Sequence, residues 1–224
     1  AVLVYDHRGL GASDGEPRQE INPFAQARDY RRALGWLATR PEVDAARIGL
    51  WGSSYSGGEV IVVAACDRRV RAVVANVPLA GFEGADYSDT KARFAALKAA
   101  LLDESGRGPA DVVHARFGPL PVVRDEGSQG PVVLDQPESA EWFLRVGATA
   151  PGWFNSITLV NGFGGDAPWD PGVCVAHVAP TPLLLVVASE DRLAATSAAL
   201  AAYERAGEPK QLTLLEGHHF VPYQ

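Results

Sequence analysis

The chain has little cysteine and no long apolar run. Cys66 and Cys174 are the only cysteines among the 224 residues, and they lie far apart in the sequence. Such a pair does not make a disulfide framework, so we expect a reduced, cytoplasmic setting. No apolar stretch approaches the roughly 20 residues that a membrane-spanning helix needs. These absences argue against a disulfide-stapled secreted domain and against a helical membrane protein.

Basic residues are not in excess either. The 20 Lys and Arg residues stand against 27 Asp and Glu residues, which gives a formal net charge of −7. Because an acidic surface repels phosphate groups, we expect neither nucleic acid nor a membrane surface as a partner. We find no internal repeat and no low-complexity tract, and we expect no cofactor and no metal. With 47% hydrophobic residues, the chain can form the core of one globular domain.

Apolar runs of strand length alternate with helical patterns in the first and last parts of the chain. A stretch that is apolar at every position is typical of a parallel strand covered on both faces. Strands are predicted on this basis at residues 1–5, 48–51, 70–77, 183–188 and 211–215. Helices are predicted to begin at Asn22-Pro23, just before residues 60–65, and near Ala194, the last of them ending at Gly207. The predicted fold class is therefore α/β, a mostly parallel sheet flanked by helices.

This alternation breaks between residues 81 and 178. The patterns there predict a helix capped by Thr90, a loop over residues 118–137, a short helix at 140–146 and a helical turn near 156–160. We interpret residues 81–178 as a helical cap or lid inserted into a core of residues 1–80 and 179–224. Aromatic side chains of this segment could line a pocket, although ordinary core packing would also explain each of them: Trp142, Trp153, Phe154, Phe163 and Trp169.

A glycine- and serine-rich corner, Gly52-Ser53-Ser54-Tyr55-Ser56-Gly57-Gly58, joins a predicted strand to an apolar helix. A serine at such a corner is typical of a nucleophile elbow, in which small residues stand two before and two after the nucleophile. With Ser54 as the nucleophile, these positions hold Gly52 and Ser56. Ser56 could instead be the nucleophile, but the turn would then fall inside the helix. A turn without any catalytic role also fits the corner, since short motifs occur by chance.

Two further residues follow predicted strands and complete a catalytic pattern. Asp191 comes just after the strand at 183–188, and His219 comes just after the last strand. Side chains that follow parallel strands meet at one edge of the sheet, where Ser54 is also predicted. Nucleophilic catalysis by serine needs a base and an acid that orients the base. The order Ser, Asp, His is typical of α/β-hydrolases. The alternatives are a loop acid or helix cap for Asp191 and a surface histidine for His219.

These residues resemble a serine hydrolase of the α/β-hydrolase superfamily, near the dienelactone hydrolase and X-prolyl dipeptidyl peptidase branches. The likeness covers about residues 1–80 and 180–224. It is carried by Tyr5-Asp6-His7-Arg8-Gly9, Ser13-Asp14-Gly15, the corner at 51–58, Asp191, His219-Phe220 and Pro222-Tyr223. In this family Phe follows the catalytic histidine, which implies His219 rather than His218. The resemblance also implies that the Tyr55 N–H donates to the oxyanion.

The chain departs from this family at both ends. Residues 1–5 resemble the fourth strand of the family, and the chain stops just after the histidine. We therefore interpret the sequence as the interior of a longer gene product, from which any targeting segment could be absent. The third strand of the family has no counterpart in this sequence, so we expect a gap in the sheet between residues 2–5 and 48–51. These two segments should then form no regular hydrogen-bonded ladder with each other. No second oxyanion donor is found in the sequence.

The expected function is hydrolysis of a carboxylic ester, thioester or amide of a small-molecule acyl substrate. Ser54 would attack the carbonyl, His219 would act as base and then as acid, and Asp191 would orient His219, through an acyl-enzyme. Within this class, an acyltransferase or thioesterase is an alternative. From another class, a non-catalytic hydrolase-like module or an inactive fragment is the alternative. Should Asp191 or His219 not meet Ser54, the replacement candidates are Asp166, Asp170, His177 and His218.

Overall fold

A computed structural model describes residues 1–108, 111, 113, 115–160 and 169–223. In chain order, the helices and strands are β1 (Glu20–Ile21), α1 (Pro23–Leu37), β2 (Leu50–Ser53), α2 (Tyr55–Cys66), β3 (Val73–Asn76), α3 (Lys91–Leu102), β4 (Arg116–Leu120), α4 (Pro137–Gly147), β5 (Ile157–Val160), β6 (Leu183–Ala188), α5 (Thr196–Arg205) and β7 (Lys210–Leu215). The chain separates into a first unit, residues 1–26 with 113–167, and a second unit, residues 27–112 with 168–224.

The second unit contains a parallel sheet of four strands in the order β2-β3-β6-β7. Its register pairs Ser53 with Asn76, and Asn76 with Val186. The carboxyl ends of β2, β3 and β6 therefore lie at one edge of the sheet. Helices α2 and α5 come from the segments between its strands, as expected for parallel crossovers. The predicted α/β class, with a mostly parallel sheet flanked by helices, is confirmed.

Helix α2 lies at the centre of this unit. Every residue from Gly57 to Cys66 is buried, which agrees with the almost continuous apolar sequence of residues 60–65. Such a helix is stabilised by packing on all sides. Each Val or Ile side chain that it buries contributes about 1.5–3 kcal/mol of transfer free energy. The only charged residue in the helix is Glu59, which is 1% exposed.

Helix α1 confirms its predicted start, whereas α3 forms without the predicted side-chain cap from Thr90. The Asn22 side chain accepts a hydrogen bond from the Ala25 N–H at 3.2 Å, as an N-cap before the first-turn proline. Thr90 precedes α3, but the Thr90 backbone carbonyl, rather than its side chain, accepts from Phe94 N–H at 2.8 Å. Within the second unit, the Arg28 guanidinium donates to the carbonyls of Ala100, Leu101 and Asp103, which satisfies the end of α3.

The first unit contains a three-stranded sheet in the order β1-β5-β4. Strand β5 is parallel to β1 and antiparallel to β4. The helical turn predicted near residues 156–160 is wrong, because this stretch is β5. Its sequence, Ile157-Thr158-Leu159-Val160, is rich in β-branched residues, which pack well in strands. The loop predicted at 118–137 begins later, since β4 extends to Leu120, and α4 confirms the helix predicted at 140–146.

The strand predicted at residues 1–5 is wrong. These residues belong to no strand, and Val2 and Val4 are 89% and 86% exposed. A parallel strand needs a hydrogen-bonded neighbour, and none of the described ladders includes residues 1–5. In particular, they form no ladder with β2. The loop that follows is ordered by Asp6, whose carboxylate accepts from the Ala12 N–H at 2.8 Å.

Residues 81–178 are divided between the units. Residues 81–112 and 168–178 belong to the second unit, and residues 113–167 belong to the first. That this segment forms an inserted cap stays a prediction. Of the aromatic candidates for a pocket, Trp169 is 3% exposed in the second unit and Phe154 is 65% exposed in the first. Trp142 packs edge-on against Phe143 in the first unit. Phe163 lies outside the described residues.

Within the described ranges, none of the helices combines the length and apolar character needed to cross a bilayer.

Candidate active site

Ser54 occupies the sharp corner between β2 and α2. Its backbone has φ 58° and ψ −119°, an arrangement that a residue with a side chain rarely adopts. The corner is held by two backbone hydrogen bonds, from Ser54 N–H to the Asn76 carbonyl at 2.8 Å and from Leu79 N–H to the Ser54 carbonyl at 2.9 Å. Both partners lie at or just after the end of β3. The neighbouring strand end therefore fixes the strained turn.

The small residues around Ser54 allow strand and helix to approach closely. A Cβ atom on Gly52 would lie 2.2 Å from the Ser56 carbonyl oxygen, and one on Gly58 would lie 2.5 Å from the Leu79 carbonyl oxygen. Ser56 takes the place where the usual pattern has glycine. Its Oγ accepts from the Ser53 N–H at 3.0 Å and donates to the Ser53 carbonyl at 2.9 Å. Ser56 therefore stabilises the corner through the hydrogen bonds of its side chain to the Ser53 backbone.

The structure brings Ser54, His219 and Asp191 together in the second unit. The His219 Nε2 atom lies 2.8 Å from Ser54 Oγ, and Nδ1 lies 2.6 Å from Asp191 Oδ2. Both contacts fall in the range expected of a nucleophile, its base and the acid that orients the base. Because the carboxylate can only accept, Nδ1 carries the proton and Nε2 is left to accept from Ser54.

The alternative residues are engaged elsewhere. His218 accepts from the Phe220 N–H at 3.2 Å, and His177 stacks on Phe94 with ring centroids 3.8 Å apart. Asp170 accepts from Tyr87 at 3.0 Å and pairs with Arg93 at 2.6 Å. Asp166 lies outside the described residues. Of the candidates that the structure describes, only His219 and Asp191 complete a chain of hydrogen bonds to Ser54.

The Asp191 carboxylate is fixed on both oxygens. Its Oδ1 accepts from the backbone N–H groups of Leu193 and Ala194, each at 2.9 Å, while Oδ2 faces His219. The Asp191 N–H donates to Thr196 Oγ1 at 3.0 Å. Asp191 therefore caps its own turn, as the alternative interpretation of a loop acid or helix cap required, and also contacts His219. At 6% and 2% exposure, Asp191 and His219 are shielded from water, which strengthens their electrostatic interaction.

Tyr55 is the first residue of α2. Its backbone N–H therefore lies at the positive end of the helix dipole, next to Ser54. This is the position predicted for an oxyanion donor, and the role of Tyr55 stays a proposal.

Sequence analysis missed a buried acid beneath the corner. Burial raises the pKa of Glu59 well above its usual range, the hydrogen bond from the Tyr55 hydroxyl opposes this, and the charge of Asp29 adds to it. Burial and the charge of Glu59 also raise the pKa of Tyr30 to about 12, against a hydrogen bond with Ser56. Burial therefore favours the neutral, protonated form of Glu59 in the folded protein. The sequence did contain a signal for this buried acid, since Glu59 is the single acidic residue within an otherwise apolar helix.

Glu59→Gln is expected to change how stability depends on pH. The folded protein holds the Glu59 proton to a higher pH than the unfolded chain does. The free energy of unfolding of the wild type therefore falls as pH rises above the ordinary range of a carboxyl group, by up to about 1.4 kcal/mol per pH unit. Glutamine does not titrate, so the variant should lose less stability between about pH 5 and pH 8. Urea denaturation across this range measures the effect.

Glu204→Gln is the matched control, because Glu204 is exposed on α5 and the same charge is removed. Its free energy of unfolding should follow the wild type across the pH range. A Glu59→Gln variant that also follows the wild type at every pH would show that Glu59 is ionised in the folded protein.

In the described part of the chain, no group of three or more His, Cys, Asp or Glu side chains is arranged to hold a metal ion.

The chain is similar to known proteins over almost its whole length. The family described as X-Pro dipeptidyl-peptidase (S15 family) matches residues 1–221. The polyketide transferase grgF of a Penicillium species is 32% identical over 215 residues, which cover 96% of this chain and 69% of the relative. The thiohydrolase aneE of Aspergillus aculeatus is 29% identical over 229 residues, which cover 98% of this chain and 70% of the relative.

A solved structure is similar as well. The crystal structure of the α/β hydrolase GrgF from Penicillium sp. sh18 matches with a TM-score of 0.69 and 30% identity. The match covers 98% of this chain and 72% of that chain.

Proposed function

Because the chain belongs to the X-Pro dipeptidyl-peptidase family (S15), a family of hydrolases, and has a partial α/β-hydrolase fold, we propose that it is a serine hydrolase acting on acyl groups. Ser54 would be its nucleophile, His219 its base and Asp191 the acid that orients the base. The observation that carries this proposal is the continuous chain of hydrogen bonds, 2.6 Å from Asp191 to His219 and 2.8 Å from His219 to Ser54.

The reaction begins with attack of Ser54 Oγ on the substrate carbonyl carbon. His219 Nε2 takes the hydroxyl proton as the new C–O bond forms, and Asp191 stabilises the imidazolium. The carbonyl oxygen becomes an oxyanion, which accepts from the Tyr55 backbone N–H. When the carbonyl reforms, the leaving group departs with the proton from Nε2 and leaves an ester on Ser54. A water molecule or an alcohol then gives its proton to His219, attacks this ester and restores Ser54.

Among ester, thioester and amide, we propose an acyl thioester as the substrate class. The relatives named polyketide transferase and thiohydrolase support it. Leaving-group chemistry supports it as well, since a thiol with a pKa near ~8.5 is a better leaving group than an alcohol and depends less on the proton that His219 Nε2 donates. Transfer of the acyl group to an acceptor other than water is the variant of this function that the name polyketide transferase favours.

The test uses a fluorophosphonate probe and a pair of matched substrates. The probe should label the wild type at Ser54, as located by mass spectrometry of the labelled peptide, and should not label Ser54→Ala. Ser88→Ala, which changes an exposed serine of the same unit, should be labelled like the wild type. Peptide mapping also separates Ser54 from Ser56.

The substrate arm compares an acyl N-acetylcysteamine thioester with the ethyl ester of the same acid. We expect release of free thiol by the wild type, with a higher kcat/KM than for the oxygen ester, and none by Ser54→Ala. Absence of labelling and of turnover would instead support the non-catalytic module. Labelling with equal turnover of both substrates would remove the thioester preference and keep the serine hydrolase.

A further inference from the structure

Tyr223 lies four residues after His219, in the short 3-10 helix Val221–Tyr223. Its hydroxyl is 2.6 Å from Ser53 Oγ. Ser53 is the last residue of β2 and directly precedes Ser54. The Tyr223 side chain therefore connects the segment that carries the base to the corner that carries the nucleophile.

Ser53 Oγ has further hydrogen-bond partners at the end of β3. Ser53 Oγ donates to the Asn76 carbonyl at 3.3 Å and accepts from Asn76 Nδ2 at 2.9 Å. In the 2.6 Å hydrogen bond between the Tyr223 and Ser53 hydroxyls, either group can be the donor. Burial raises the pKa of Tyr223, although the hydrogen bond with Ser53 opposes this, so the hydroxyl keeps its proton. Ser53 is then held by Tyr223 on one side and by β3 on the other.

The ring of Tyr223 lies near His219, the base of the proposed proton transfer. Its centroid lies 6.2 Å from that of His219 and 5.9 Å from that of Phe220. Phe220 in turn packs edge-on against His219, with centroids 5.1 Å apart. The rings of Phe220 and Tyr223 therefore confine the imidazole, while the Tyr223 hydroxyl reaches the corner.

The segment that carries His219 is also held from the Asp191 side. Glu190 N–H donates to the Gly217 carbonyl at 2.9 Å, and Gly217 N–H donates to Ser189 Oγ at 3.1 Å. These bonds fix the base relative to the acid. In the same way, the hydrogen bond between Tyr223 and Ser53 fixes the base relative to the nucleophile.

We propose that Tyr223 is a positioning residue that sets the distance between His219 Nε2 and Ser54 Oγ through its hydrogen bond to Ser53. This inference rests on the proposed function, since it assigns a role within the same site. Proton transfer requires close and aligned atoms, and a misplacement of about 1 Å can cost on the order of 10²-fold in rate. The bond thus affects the chemical step rather than the binding of substrate.

The test measures the second-order rate of fluorophosphonate labelling at Ser54 in the full chain, together with kcat and KM for the thioester. Tyr223→Phe keeps the ring and removes the hydroxyl, and Ser53→Ala removes the same bond from the other side. We expect each variant to lower the labelling rate and kcat by about tenfold or more, with KM within about twofold of the wild type. Tyr203→Phe, the same change on α5, is the matched control and should react like the wild type.

The double variant tests whether the two residues act through one bond. Tyr223→Phe with Ser53→Ala should react no more slowly than the slower single variant, since the bond is already broken in either. Additive losses would show independent effects and would overturn the proposal, as would Tyr223→Phe labelled within about twofold of the wild type. A wild type that is not labelled at Ser54 would instead refute the proposed function. The two failures are therefore distinguishable.

Discussion

Ser54→Ala and His219→Ala are each expected to lower kcat by a similar factor, on the order of 10⁶, and the double variant should lose no more. We expect this because the proposed nucleophile and base would act as one unit, joined by the 2.8 Å contact between Ser54 Oγ and His219 Nε2. Without the base the hydroxyl is a weak nucleophile, and without the hydroxyl the base has no proton to accept. Steady-state kinetics of thioester cleavage, with KM changing little, measures the effect.

His218→Ala is the control for the histidine variant, because His218 is adjacent to His219 in the sequence and accepts from the Phe220 N–H instead of contacting Ser54. We expect it to retain most of the wild-type kcat. A double variant that loses far more than either single variant would show that Ser54 and His219 act independently. Such a result would contradict the mechanism even if both single variants were impaired.

The helices and strands that were predicted well are those whose hydrophobic pattern stays the same over many residues. The apolar run within α2 and the strand Leu183–Ala188 are bounded by turn-forming residues, so their type and extent were clear. Residues 1–5 show the limit of the same argument. They are as apolar as β6, but a strand forms only where another strand pairs with it. Local sequence cannot report whether that neighbour is present.

The missed strands have a different cause. Strand β1 is only two residues long, Glu20–Ile21, and exists through its pairing with Thr158 and Leu159. Strand β5 is four residues long and is followed in the sequence by Asn161-Gly162, so the hydrophobic pattern offered only four residues to judge. Short elements such as these are decided by tertiary contacts rather than by local preference.

That the candidate residues lie close together could be predicted from their positions after strands. Ser54, Asp191 and His219 each follow a parallel strand, and the topology brings such residues to one edge of the sheet. The choice of His219 over His218 came from the resemblance to a family. The contact from Tyr223 to Ser53 joins residues 170 positions apart, and no pattern in the sequence indicates it. Glu59 was visible as an acid in an apolar helix, but its partner Tyr55 was not.

Asp191→Asn is expected to lower kcat by about 10⁴ and to leave KM nearly unchanged. The asparagine Oδ1 can still accept from the N–H groups of Leu193 and Ala194, so the local turn should persist. Its amide group then faces His219 Nδ1 and can only donate. Nδ1 must accept, which places the ring proton on Nε2, and this nitrogen can no longer take the proton of Ser54. The substitution should therefore lower kcat and leave KM nearly unchanged. Substrate binding does not depend on which ring nitrogen of His219 carries the proton, whereas proton transfer in the transition state does.

The matched control is Glu190→Gln, an acid-to-amide change at the adjacent exposed position, which should keep the wild-type kcat. The fluorophosphonate probe supplies a second measurement, since Ser54 in Asp191→Asn should be labelled far more slowly than in the wild type. An Asp191→Asn variant with near-normal turnover would mean that another acid orients His219. Asp170 does not fit as a substitute, because its two carboxylate oxygens already accept hydrogen bonds from Tyr87 and Arg93. That outcome would therefore require the 2.6 Å contact between Asp191 and His219 to be dispensable for catalysis.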